Sequence, residues 1–165
     1  MKRINSFFYS ILIISALIVN IGAEDIDLNN ISQQQTNNKP HKLLFFHMNY
    51  CPYCKAMIKE SIENKQLMKL INDNFNFIDI NINTKGIVSF KDFKGSKHNF
   101  AKSLKINFYP TTLFLNNKNE IVYKIKGYRD ITKFRNIIKF IASNSYLTMS
   151  LGDYLNILEM DKDQD

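Results

Sequence analysis

An α/β architecture follows from three features of this 165-residue chain: a central mixed β-sheet of about four strands, flanked by helices, with an extra helix at the C-terminus. A continuous apolar run, KLLFFH at 42–47, fits a strand buried on both faces. A second run, 77–83, alternates Ile78, Ile80 and Ile82 with Asp79, Asn81 and Asn83, the pattern of a half-buried strand. A third block, TTLFL–NNKN–IVYKI at 111–125, reads as a hairpin, and stretches of helical periodicity separate the three.

Taken in order, MKR is a positive start, 7–19 an apolar core and Ile21-Gly22-Ala23 a small-residue cleavage site, so 1–23 is expected to be a signal peptide. The apolar run is shorter than the roughly 20 residues that span a bilayer, so cleavage is expected. The alternative is an inner-membrane anchor facing the periplasm. Residues 24–40, polar and rich in Asn and Gln, read as a linker or short helix. One domain over 41–160 follows, then an acidic tail at 161–165. Within the domain, 55–71 lacks Gly and Pro and carries Met57, Ile58, Ile62, Leu67, Leu70 and Ile71 at helical spacing. Residues 84–97, TKGIVSFKDFKGSK, read as a loop, and a short helix through Phe100, Ala101 and Leu104 comes next. Asp130 is placed to cap a helix with Ile131, Phe134, Ile138 and Ile141 on one face. Leu151, Tyr154, Leu155 and Leu158 mark a last amphipathic segment.

Composition narrows the function. The apolar fraction of 45%, with 13 Phe and 8 Tyr, supplies a genuine core. Net charge is +7, but the Lys residues are scattered singly rather than gathered in a stripe, and no nucleic-acid motif is present. No nucleic-acid partner and no cofactor are expected.

The only two cysteines, Cys51 and Cys54, sit three positions apart directly after the KLLFFH strand. An exported domain stapled by disulfides usually carries four or more cysteines, and a loop this small removes little entropy from the unfolded chain. A structural staple is therefore a poor reading. At a strand-to-helix junction, unpaired backbone N–H groups and the positive helix end favour a thiolate on Cys51. Cys51 would then attack a disulfide and Cys54, one turn inside, would resolve it. Pro52 suits a first helical turn. The rival from another class is a metal site using Cys51, Cys54, His47 and His98, although these histidines lack the three-to-five spacing of common zinc sites. His47, four residues before Cys51, is a candidate for tuning the thiolate.

Three segments, KPHKLLFFHMNYCPYCKAM, then AKSLKINFYPTTLFLNNKNEIVYKIKGY, then a terminal helix, resemble the thioredoxin superfamily, and within it the exported SoxW-type members, over about 39–158. The resemblance implies a thioredoxin fold, a redox-active Cys51–Cys54 disulfide, and a cis Pro110 in Tyr109-Pro110-Thr111 lying against the Cys51 sulfur. Tyr109 and Pro110, with Pro52 and Tyr53, would then contact the substrate chain. Three departures stand out: Pro52-Tyr53 is the glutaredoxin dipeptide, Tyr50 replaces a Trp, and Phe45 occupies the place of a buried Asp. Asp79 is the nearest substitute for that acid. The expected activity is that of a periplasmic thiol–disulfide oxidoreductase, working as a reductase on substrate-protein disulfides. A membrane thiol donor of the DsbD or CcdA kind would regenerate it. The alternatives are a disulfide-forming oxidase or isomerase, and a metal-binding module of the same fold.

Overall fold

The computed structural model describes residues 24–31 and 39–162. The signal peptide expected at 1–23, residues 32–38 of the expected linker and the last three residues of the tail lie outside the described residues.

A four-stranded mixed sheet forms the centre. Its strands are β2 (His41–His47), β3 (Phe75–Asn81), β6 (Thr111–Leu115) and β7 (Ile121–Lys126), in the order β3-β2-β6-β7. β2 runs parallel to β3 and antiparallel to β6, and β6 pairs antiparallel with β7. The parallel β2–β3 pair needs a crossover, supplied by α1 (Pro52–Met57), a π-helical turn (Ile58–Ile62) and α2 (Lys65–Asn74). Every residue of β2 is buried, as its unbroken apolar run requires at the middle of a sheet covered on both faces. Strand β3 begins at Phe75, two residues before its alternation becomes visible.

The two faces of the sheet have separate cores. Leu43, Phe45, Phe75 and Phe114 pack with Met57, Leu67 and Ile71 of the crossover and with Phe134, Ile138 and Ile141 of α4 (Ile131–Ala142). Leu44, Phe46, Ile78, Ile80, Leu113 and Leu115 face the other way, onto Phe90 and onto Phe100 of α3 (Lys97–Ser103). Each fully buried Phe or Leu contributes about 1.5–3 kcal/mol relative to exposure, so these layers hold the sheet. Asp130 caps α4, its Oδ1 accepting the Lys133 N–H at 2.9 Å. A short 3₁₀ turn (Ser145–Leu147) leads to α5 (Leu151–Lys162), which carries the helix into the first two residues of the expected tail.

Three expectations are corrected. The expected loop at 84–97 is a hairpin, β4 (Ile87–Phe90) and β5 (Phe93–Ser96), leading straight into α3. The expected linker contributes β1 (Ile26–Asp27), parallel to β4, and Leu28, which is fully buried. Asp25 Oδ1 accepts the Ile87 N–H at 2.7 Å and Ser89 accepts the Leu28 N–H at 2.9 Å, so this segment belongs to the domain. Gly86, at φ 128, lets the backbone of Glu24 approach where a Cβ would collide. Finally, the helix expected over 55–71 is broken. Asn64 leaves the helical region and caps α2 through its side chain, accepting the Leu67 N–H at 2.9 Å. Among the described residues, no helix is long and apolar enough to cross a membrane.

Candidate active site

Strand β2 ends at His47, four residues (Met48 to Cys51) turn the chain, and α1 begins at Pro52. Tyr50 holds φ 57, a left-handed conformation uncommon for a bulky residue, and its side chain is fully exposed. A net of asparagines fixes this turn. Asn83 Oδ1 accepts the Asn49 N–H at 2.8 Å, and Asn81 Nδ2 donates to Asn49 Oδ1 at 2.9 Å.

Cys51 is the N-cap of α1, in extended conformation, and its Sγ accepts the Cys54 backbone N–H at 3.1 Å. The sulfur thus occupies the place a Ser or Asp oxygen takes at most helix starts. No acidic residue stands in the first turn of α1, so the positive end of the helix is uncancelled locally. Pro52 occupies the first turn, where a missing N–H is harmless. Cys51 and Cys54 are joined as a disulfide, with Cα atoms 5.2 Å apart. The two thiols differ in access: Cys51 is partly exposed, whereas Cys54 is 1% exposed. Pro52 and Tyr53 are exposed beside them.

Across from Cys51 lies the segment before β6. The Tyr109–Pro110 peptide bond is cis, and the Tyr109 carbonyl oxygen is 3.8 Å from Cys51 Sγ. Pro110 is buried and its carbonyl accepts the Gly127 N–H at 2.7 Å; Gly127, at φ 85, packs under the exposed ring of Phe108. Tyr109 is partly buried, which pushes its phenol above the ordinary range. Of the residues expected to meet a substrate, Tyr109 sets its carbonyl against the Cys51 sulfur with Pro110 next in the chain, while Pro52 and Tyr53 are exposed on the first turn of α1.

On the other side of the cysteines a groove of about 720 Å³ is lined by His47, Tyr50, Cys51, Pro52, Cys54, Lys55 and Lys59, among others. His47 is buried and stacks on Phe45, ring centroids 5.5 Å apart. Its Nε2 is 2.9 Å from Asp79 Oδ1, an ion-pair distance, though the angle falls short of hydrogen-bond geometry. Asp79 itself is exposed, so it joins the site through His47 and is no replacement for a buried acid. His98 lies exposed on α3 and does not line this groove. Among the described residues, no group of three or more His, Cys, Asp and Glu side chains gathers around a common point for a metal ion.

Sequence reasoning did not find the asparagine net, the His47–Asp79 contact or Phe108. Asn81 and Asn83 read there only as the wet side of a strand. A fourth contact, the hydroxyl of Tyr128 donating to Glu60, ties the π-helical turn to the end of β7; it raises the phenol of Tyr128 above its usual range.

Residues 29–142 match the family described as Thioredoxin-like domain. A comparison with curated protein sequences finds no match. Among solved structures, a thioredoxin-fold protein from Helicobacter pylori is similar with TM-score 0.62 at 23% identity, over 74% of this chain and 86% of that one. A thioredoxin from Thermus thermophilus gives 0.49 at 19% identity, over 62% and 73%. The C-terminal domain of DsbD from Neisseria meningitidis, in its reduced form, gives 0.44 at 16%, over 61% and 80%. At 23% identity the likeness to the Helicobacter pylori protein concerns the fold alone. A disulfide between Cys51 and Cys54 at the head of α1, on a mixed four-stranded sheet and within a matched span of more than half the chain, leads to one conclusion: the chain belongs to the thioredoxin-like family.

Proposed function

We propose that this protein is an exported thiol–disulfide oxidoreductase of the SoxW type that reduces disulfides in substrate proteins. One observation carries the reading: a partly exposed sulfur at a helix N-terminus, bonded to a buried partner and 3.8 Å from the main-chain carbonyl of Tyr109. In the dithiol state the Cys54 N–H and the helix end stabilise a Cys51 thiolate. That thiolate attacks one sulfur of a substrate disulfide; the substrate S–S bond breaks and one substrate thiolate leaves. Cys54 then attacks Cys51 Sγ, the mixed disulfide breaks, and the second substrate thiol is released. Two electrons pass to the substrate, and Cys51–Cys54 returns to the disulfide.

Reduction is the direction we favour. Disulfide-forming oxidases of this fold usually carry a helical insertion, whereas the connection from β3 to β6 here is a short hairpin and the seven-residue α3. The apolar run at 7–19 between MKR and Ile21-Gly22-Ala23 supports export to the periplasm, where a membrane thiol donor of the DsbD or CcdA kind would return the electrons. The test is reduction of insulin by dithiothreitol in the presence of the purified protein. Catalysis by the wild type and its loss in Cys51→Ser are expected; full activity in that variant refutes the nucleophile assignment.

A further inference from the structure

Resolution requires Cys54 to become a thiolate while it is shut away from water. Burial disfavours the charged sulfur, so a proton acceptor inside the same wall is needed for a fast step near neutral pH. The titratable groups facing the groove are His47, Tyr50, Lys55, Lys59 and Glu63, besides the cysteines. Tyr50, Lys55, Lys59 and Glu63 are exposed and solvated; His47 is 9% exposed and shares the wall with Cys54. Two contacts fix its ring. Phe45 stacks on it from the same strand, and Asp79 of β3 sets a carboxylate 2.9 Å from Nε2. With the carboxylate on the Nε2 side, Nδ1 is the ring nitrogen left to take up a proton.

We propose that His47, braced by Asp79, accepts the Cys54 proton during resolution of the mixed disulfide. This rests on the exchange reading above. The proton passes from Cys54 Sγ to His47 Nδ1 as Cys54 bonds to Cys51 Sγ, and the Cys51–substrate bond breaks. The departing substrate thiolate takes a proton from the imidazolium or from water, which returns His47 to its starting state. His47 acts on Cys54 alone; Asp79 is a positioning residue that acts through His47.

The two steps separate with 5,5′-dithiobis(2-nitrobenzoate). Attack by Cys51 releases a first equivalent of the coloured thiolate, and resolution by Cys54 releases a second. Reduced wild type, His47→Asn and Asp79→Asn are to be compared by stopped flow from about pH 6 to about pH 9. His47→Asn should slow the second release about 100-fold near neutral pH and leave the first within about twofold. The deficit should shrink toward about pH 9, where the thiol ionises unaided. Asp79→Asn should slow the second release severalfold in the same pH range, a change at an exposed carboxylate that leaves the core intact. A second release at the wild-type rate in either variant overturns the proposal, as does an equal fall in both releases at every pH. If wild type gives no first release, the exchange reading itself fails and takes this proposal with it; a normal first release confines any failure to His47.

Discussion

Replacing Cys51 by Ser and by Ala separates the role of its sulfur in the helix from its role in the chemistry. The Sγ caps α1 by accepting the Cys54 N–H at 3.1 Å, and no acidic side chain stands in the first turn to take over. A Ser hydroxyl accepts the same bond, whereas Ala leaves that amide without a partner. Loss of such a cap costs about 1 kcal/mol. Both variants lack the disulfide, so its contribution cancels between them. With a urea slope of about 2 kcal/mol per molar, Cys51→Ala should unfold at a midpoint about 0.5 M below Cys51→Ser. Neither variant should reduce insulin, because without the Cys51 thiol neither the mixed disulfide nor the Cys51–Cys54 disulfide that takes up its two electrons can form. The assay is urea unfolding followed by circular dichroism, paired with insulin turbidity. Equal midpoints would refute the cap; insulin reduction by Cys51→Ser would refute the nucleophile.

Cys54→Ser should accumulate mixed disulfides with partner proteins through Cys51, seen as reductant-sensitive bands on a non-reducing gel, and Cys51→Ser should not. Leu28 is fully buried, so Leu28→Ala should lower unfolding free energy by about 2–5 kcal/mol; a change below about 0.5 kcal/mol would return residues 24–31 to the status of a linker. Burial holds the imidazole of His41 below its usual range, with Nε2 3.3 Å from the Tyr146 hydroxyl. The unfolded chain then binds the proton more readily, so stability is fully present above about pH 6.5 and falls as the pH drops through the folded value. His41→Phe should flatten that acid slope in unfolding midpoints measured at intervals from neutral pH downward.

How much of this was legible depended on the length of each signal. KLLFFH and TTLFL are long apolar runs at the middle of a sheet, and both strands were readable from the sequence. Asp130 combines a cap with four apolar residues at helical spacing, so α4 was equally plain. The β4–β5 hairpin has strands of only four residues, IVSF and FKGS, set between Lys-, Gly- and Asp-containing turns, too short for alternation to outweigh loop composition. The two-residue β1 exists only because β4 is there to pair with it. Asn64 ends one helix and caps the next within a stretch free of Gly and Pro; a side chain competing for its own backbone leaves little trace in periodicity. At the site, the cysteines and Tyr109-Pro110 stood out as motifs. The His47–Asp79 contact did not, because it joins two strands whose pairing register is fixed only by the fold.

The standard reduction potential of the Cys51–Cys54 couple, from equilibration with glutathione or dithiothreitol buffers, tests the proposed activity most directly. A reductase should show a reversible two-electron couple nearer the roughly −270 mV of thioredoxin than the roughly −120 mV of the oxidant DsbA. A value at the oxidising end would contradict the reducing direction, and the absence of any reversible couple would contradict thiol–disulfide exchange altogether.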